Sequence, residues 1–317
     1  MIPGISVVMP LYNKERDVDR SIDSVLMQSF RDFELIVVDD GSTDSSVAKA
    51  MAIQDPRIRL IRQSNRGVSA ARNRGVSESR CALVSFIDAD DEWLPGFLAK
   101  IIELRANYPH AKVYATSYLR RSSDGMQSEA ILHADCADFR EGILENYFSV
   151  AARSDPPIWS SAVAVDRAAL KEIGGFPEGV RCGEDLLTWA RLAIRWPVAY
   201  SKQPLAVFWM PGHVLARPGR FEDMGDPVGL GLRKLCKEAD PSLRKGVREY
   251  LGMWHRMRAV TELQRNRRMA CLRNAWRSMR FGGIELRVTV VGLLSMLPCP
   301  NPSRIFFMLK RLQGRQP

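Results

Sequence analysis

Ala82-Leu83-Val84-Ser85-Phe86-Ile87-Asp88-Ala89-Asp90-Asp91 passes from a short apolar run into three carboxylates. The apolar part has the length of a strand buried on both faces, and the acidic part lies where that strand would emerge. Alternate side chains of an extended segment share a face, so Asp88 and Asp90 point together into the crevice at the strand end. Two carboxylates that close repel unless something positive lies between them. Mg2+ or Mn2+ suits that place, since both seek oxygen and readily share their shell with a diphosphate. An acidic strand-to-loop turn accounts for the same residues without a ligand.

Moving toward the N-terminus, residues 5–9, 33–38 and 58–61 form three further apolar runs. Val18, Ile22, Val25 and Leu26 recur at helical spacing between the first two, and residues 45–53 and 67–76 also read as helices. Strands alternating with helices in this way predict right-handed βαβ units and a largely parallel sheet. In such sheets, ligands sit outside the carboxyl ends of the strands. Three strands end in polar or acidic clusters, at residues 10–13, 39–42 and 88–91, and these should converge on one crevice.

The middle cluster belongs to Val38-Asp39-Asp40-Gly41-Ser42-Thr43-Asp44. Its carboxylates suit the N–H of a base or a ribose hydroxyl, and Gly41 lets the chain turn close to a ligand. Equally, Ser42, Thr43 or Asp44 can cap the helix that follows. Further on, Gly183-Glu184-Asp185 opens a helix expected over residues 185–194. Acidic residues are favoured there by the helix dipole, and one of them also suits a general base.

Residues 107–221 are less regular, with strands expected at 113–118 and 161–165 and a strand or hairpin at 198–209. Beyond them Leu243, Val247, Leu251, Trp254 and Met257 form a helical stripe among arginines, predicting a helical hairpin closed by Gly282-Gly283. The expected organisation is an α/β domain over 1–225, with halves 1–106 and 107–225, then a basic, mainly helical region over 226–317.

At 317 residues, 46% hydrophobic and 26% charged, the chain can bury a core without disulfides. Its six cysteines are scattered with no C-x-x-C pair, which speaks against a zinc site and for a reducing, cytoplasmic setting. The N-terminus does not read as a signal peptide, and the apolar run at 288–297 is too short to span a bilayer. The net charge of +10 is uneven: from Gly231 onward there are 19 basic residues against 5 acidic, and before it 27 against 31. Such a patch seeks phosphate-rich partners such as anionic lipid headgroups, a lipid-linked acceptor or nucleic acid. Packing of the apolar stripe on the domain, with the arginines left in water, is the other reading. No nucleic-acid-binding motif is present, which disfavours that partner.

Pro10-Leu11-Tyr12-Asn13, the 38–44 run, Ala71-Arg72-Asn73-Arg74-Gly75, Asp88-Ala89-Asp90-Asp91 and Gly183-Glu184-Asp185 stand in the order seen in family 2 glycosyltransferases. The chain resembles a bacterial, cell-surface-glycan member of that family over about residues 5–210. The resemblance implies a GT-A fold, Rossmann-like with a mostly parallel mixed sheet, here followed by a C-terminal helical extension. It implies an inverting, Mn2+- or Mg2+-dependent transfer from a nucleotide-sugar donor, most often a UDP-sugar, to a glycan or lipid-linked acceptor. By the same resemblance Pro10, Tyr12 and Glu15 line the nucleotide pocket, Asp40 reads the base and Arg72 helps hold the nucleotide. Asp88 and Asp90 serve the ribose and the metal, with Asp91 nearby, and Asp185 is the catalytic base, with Glu184 the alternative. His213 is a third metal ligand or a solvent-exposed loop histidine. The implied setting is cytoplasmic, extending to the inner face of the membrane. Two rivals remain: a nucleotidyltransferase, which needs neither carboxylate of Gly183-Glu184-Asp185, and a nucleic-acid- or anionic-surface-binding protein built on the basic tail.

Overall fold

Every residue of strand β2 (Phe33–Asp39) is buried, and β1 (Ile5–Leu11) is buried except at Pro10, as strands covered on both faces require. The computed structural model describes residues 4–122, 124–132, 140–210, 225–283 and 286–296. In it these strands join β3 (Ile58–Arg62) and β4 (Leu83–Phe86) as a parallel set in the order β3-β2-β1-β4. Helices α1 (Val18–Leu26), α2 (Ser46–Ala52) and α3 (Val68–Glu78) make the crossovers. α1 buries Val18, Ile22 and Val25, the positions its spacing selects.

The remaining strands make the sheet mixed. β9 (Val163–Asp166) lies antiparallel between β4 and β6 (Val113–Ser122). β10 (Val198–Met210) runs parallel to β6, with β5 (Glu92–Trp93) on its far side. Two short strands flank these, β7 (Gln127–Glu129) on β6 and β8 (Glu141–Ile143) on β10. The strand expected at 161–165 starts late because residues 160–162 form a 3-10 turn. The segment expected as a strand or hairpin at 198–209 is one long strand, irregular in register around Pro204, which lacks the N–H a ladder needs. Helix α4 (Phe97–Asn107) was not anticipated, although Phe97, Leu98, Ile101 and Leu104 fall at helical spacing and are all buried. Helices α6 (Arg167–Glu172) and α7 (Glu184–Ala193) complete this part of the chain.

By internal contacts the chain divides into two compact units, Met1–Tyr147 with Ser154–Gly212, and Phe148–Arg153 with His213–Pro317. A contiguous division at residue 225 contains no such exchange. It arises because α5 (Tyr147–Arg153) packs on α9 (Pro241–Gln264): Phe148 meets Tyr250 edge to face at 5.8 Å, and Arg256 donates to the Ala152 carbonyl at 2.8 Å. The second unit also contains α8 (Pro227–Glu238), α10 (Arg268–Gly282) and α11 (Leu286–Met296). Its helices start as the sequence dictates. Asp226 accepts from Gly229 N at 2.9 Å and Asp240 from Ser242 N at 2.9 Å, each followed by a proline at the first helical position. Of the expected stripe, Val247, Leu251 and Trp254 are buried, Leu243 is half-buried, and Met257 at the stripe's edge is exposed. No helix among the described residues is long and apolar enough to cross a membrane.

The hairpin of α9 and α10 closes on glycine. A Cβ on Gly252 would lie 2.5 Å from Gly282 N and 2.6 Å from its Cα, both backbone atoms that cannot swing away. Gly252→Ala is therefore expected to cost about 1–3 kcal/mol in chemical denaturation, the usual range for overpacking. Gly282→Ala places its Cβ 3.3 Å from Gly252 Cα and should cost less.

Candidate active site

Because β1, β2 and β4 are parallel, their carboxyl ends share one edge of the sheet, and the three polar clusters meet there. The turns after β1 and β2 are stitched together. Asn13 N and Lys14 N donate to Ser42 Oγ (3.1 Å) and Ser46 Oγ (2.7 Å), Glu15 N donates to Asp44 (3.1 Å), and Thr43 N donates to Asn13 Oδ1 (2.8 Å). Glu15 in turn accepts from Ser45 N at 3.1 Å, so its carboxylate is engaged in the stitching. Asp44 also accepts from Ser46 N at 3.0 Å, but the N-cap of α2 is Ser45, so none of the cap candidates Ser42, Thr43 and Asp44 holds that position. Pro10 ends half-buried opposite Val38, and Tyr12 projects from the strand end, 47% exposed.

Asp40 is buried, and its carboxylate turns onto the loop before α3. It accepts from Gln63 Nε2 (2.7 Å), Arg66 N (2.9 Å) and Gly67 N (2.8 Å). A carboxylate has about four acceptor positions, so roughly one is left free of these three donors. Neither Gln63 nor this loop was singled out in the sequence.

The Ala71–Gly75 motif sits on α3 and four of its five members have a visible task, Arg74 making only an exposed pair with Glu78 at 2.9 Å. Ala71 is buried against the sheet, and a Cβ on Gly75 would lie 2.3 Å from Val8 Cγ1, so glycine lets α3 approach β1 closely. Asn73 pairs with the backbone of Phe176, donating to its carbonyl at 2.9 Å and accepting from its N–H at 2.8 Å. Arg72 is buried over the Phe176 ring at 5.3 Å and faces two carboxylates, Asp88 at 2.7 Å and Glu184 at 3.5 Å. Burial works against its charge, but Asp88, then Glu184 and Asp185, outweigh it and hold the guanidinium pKa above its usual value.

Glu184 and Asp185 open α7. Burial, then the charge of Asp185, push the Glu184 carboxyl up to about 7 against the pull of Arg72. Asp185 is directed elsewhere, with Oδ2 3.4 Å from Ser160 Oγ. The sequence left the choice between the two open. Their surroundings differ: Glu184 faces a buried cation, Asp185 a hydroxyl.

At the end of β4, Lys14 pairs with Asp90, and Arg20 donates to the Asp90 carbonyl at 2.8 Å. Asp91 is buried and acts as a hub. It accepts from Trp159 Nε1 at 3.0 Å and Trp209 N at 3.4 Å, and hydrogen-bonds Ser161 Oγ at 2.5 Å. Ser161 Oγ also accepts from Asp88 N at 3.0 Å, so the acidic turn is tied to the strands of the second half. Burial, then the charges of Asp88 and Asp90, push the Asp91 carboxyl up to about 8, so at pH 7 it adds little negative charge to the turn. Lys14, Ser161 and Trp159 were not identified from the sequence. Lys14 carried a readable signal, a cation between two residues already assigned to the same strand end. Ser161 and Trp159 carried none.

Among the described residues no three His, Cys, Asp or Glu side chains gather as a metal-binding group, and His213 lies outside the described residues. A divalent ion at this edge would draw on Asp88 and Asp90. That donor set fits Mg2+ or Mn2+, which are commonly held by one or two carboxylates while substrate phosphates complete the shell. Arg72 occupies only Oδ1 of Asp88, and Lys14 reaches Asp90 on a flexible, partly exposed stem.

A family model described as glycosyl transferase family 2 matches residues 6–174. The chain belongs to glycosyl transferase family 2. Among curated relatives, this member is 36% identical to the glycosyltransferase EpsJ of Bacillus subtilis over 126 residues, 39% of this chain and 36% of EpsJ. It is 32% identical to the succinoglycan biosynthesis protein ExoO of Rhizobium meliloti over 193 residues, 60% of this chain and 55% of ExoO. The chain thus spans about a third to a half of the length of these relatives. Among solved structures it is similar to S. aureus TarS in complex with UDP-GlcNAc, with a TM-score of 0.68 and 16% identity over 98% of this chain and 92% of that one. It is also similar to the mannosyltransferase PcManGT of Pyrobaculum calidifontis in complex with GDP-Man and Mn2+, with a TM-score of 0.57 and 18% identity over 100% and 89% of the chains. These likenesses concern the fold, which is GT-A, as the motifs implied. The family match ends before Glu184 and Asp185.

Proposed function

We propose that this family 2 member transfers a sugar from a nucleoside-diphosphate sugar, a UDP-sugar in the first instance, to an acceptor hydroxyl with inversion. The observation that carries this reading is the line Asp88–Arg72–Glu184, which brings the acidic turn after β4 and the start of α7 to one buried guanidinium. A carboxylate pair suited to the divalent ion of a metal-bound diphosphate and a candidate base are thereby set at one edge of the sheet.

In this reading Asp185 takes the proton from the acceptor oxygen as that oxygen attacks the anomeric carbon from the face opposite the leaving nucleotide. One displacement inverts the configuration. Glu184 orients Arg72. Pro10 and Tyr12 border the nucleotide, and Asp40 shapes the loop beneath it with one acceptor position left for the base. Glu15 acts through the stitched turns. Asp88 and Asp90 would hold Mn2+ or Mg2+, which when bound neutralises charge on the diphosphate leaving group. We place the reaction in cell-surface glycan synthesis, a reading supported by the succinoglycan role in the name of ExoO, and in the cytoplasm, supported by the scattered cysteines.

The test is calorimetric titration with UDP, GDP and dTDP, with and without Mn2+. UDP is expected to bind, more tightly with metal, and Asp90→Ala should abolish the metal's contribution. Binding of none of the three under either condition would overturn the reading.

A further inference from the structure

We propose that the outer face of α10, with the exposed aliphatic side chains of α11, rests on an anionic lipid bilayer. On α10, Met269, Arg273, Trp276 and Arg280 fall at intervals of four, three and four residues, which stacks them along one line of a helix. All four are exposed, Met269 by 69% and Trp276 by 56%. The opposite line, Cys271, Asn274, Ala275 and Ser278, is buried within the same unit. Arg280 lies over the Trp276 ring at 5.3 Å, and no acidic residue occurs anywhere in α10. On α11, Leu286, Leu293 and Met296 are likewise exposed, by 77%, 58% and 63%, while Val288, Val291 and Leu294 are buried.

These exposed positions combine two features that soluble helices usually separate. Arginines of one sign flank an indole and a thioether on α10, and α11 turns aliphatic side chains outward. A bilayer with anionic headgroups accommodates both, because phosphates meet the guanidiniums while Trp, Met and Leu enter the headgroup–acyl boundary. Nucleic acid would take the charges but leave the aliphatic side chains in water. A second copy would set arginines against arginines. The charge of the whole segment is complementary to such a membrane, with 19 basic residues against 5 acidic from Gly231 onward. This inference does not depend on the reaction proposed above.

The test uses the full chain and vesicles of phosphatidylcholine, with and without phosphatidylglycerol. The protein should sediment with the phosphatidylglycerol vesicles, weakly with phosphatidylcholine alone, and less as salt rises. Arg273→Glu with Arg280→Glu should lower partitioning at least about tenfold while lowering the thermal melt by only a few degrees, because both side chains are exposed and only the Arg280–Trp276 contact and a favourable last-turn charge are lost. Brominated acyl chains should quench tryptophan emission in the wild type. Trp276→Phe should still bind and lose most of that quenching. Failure to bind anionic vesicles overturns the proposal, as does wild-type binding by the double variant or quenching that survives Trp276→Phe. If the double variant instead loses only self-association or oligonucleotide binding, the face serves a second copy or a nucleic acid and not a bilayer.

Discussion

Asp185→Asn should retain nucleotide binding and lose turnover by roughly 10²–10⁴-fold, the usual contribution of a general base. The substitution keeps the shape of the side chain beside Ser160 and removes only its capacity to take a proton. The effect should therefore fall on kcat, with KM for the donor little changed. Release of the nucleoside diphosphate from whichever sugar nucleotide the titrations identify is a sufficient readout. Glu184→Gln is the informative contrast. Because Glu184 pairs with the buried Arg72, its loss should weaken donor binding more than the chemical step. If Asp185→Asn turns over like the wild type while Glu184→Gln is inert, the base has been assigned to the wrong member of the pair.

Arg72→Met should be the most destabilising single substitution at the site. Removing one partner from a buried ion pair leaves the other without compensation, at a cost of about 3–5 kcal/mol. Asp88 is partly exposed and can be hydrated, so about 3 kcal/mol is expected at pH 8. The sign of the pH dependence follows from Glu184. Its carboxyl is pushed up from 4.5 to about 7 in the folded protein, so between those values the folded state holds a proton that the unfolded state has released. Stability from this group therefore falls as pH rises through that window. Without Arg72 the carboxyl moves higher still and the decline continues above pH 7. The stability difference between variant and wild type should thus be smaller at pH 6 than at pH 8, by up to about 1.4 kcal/mol, read from urea midpoints. A difference independent of pH would mean that Glu184 does not respond to Arg72.

The strand ends were legible because one physical rule governs all three: a buried parallel strand leaves its polar residues where it emerges. Residues 5–9, 33–38 and 82–87 read correctly, and with them the edge at which Tyr12, Asp40 and Asp88 meet. What escaped was tertiary. Nothing in the spacing of Asp40 says that its carboxylate turns onto Gln63, Arg66 and Gly67. Nothing near Asp91 says that Trp159 and Ser161, some 70 residues later, supply its hydrogen bonds. Asp44 and Asp40 resolved differently, Asp44 bonding Ser46 N from one residue before the N-cap Ser45 and Asp40 the loop, because short acidic side chains serve whichever N–H groups the fold brings near. α5 was missed for a different reason. Its seven residues carry too little pattern of their own, and its place is set by Tyr250 and Arg256 a hundred residues on.

The antiparallel position of β9 has a consequence for synthesis. β4 is flanked by β1, which precedes it, and by β9, whose first residue Val163 comes 77 positions after Phe86. At about 5–20 residues per second, a ribosome takes roughly 4–15 s to deliver that partner. Throughout that interval Leu83-Val84-Ser85-Phe86 offers an apolar, unpaired ladder to any neighbouring chain, the template from which edge-to-edge aggregation starts. A nascent chain stalled before Val163 should be the most aggregation-prone state of this protein and the one most dependent on chaperones.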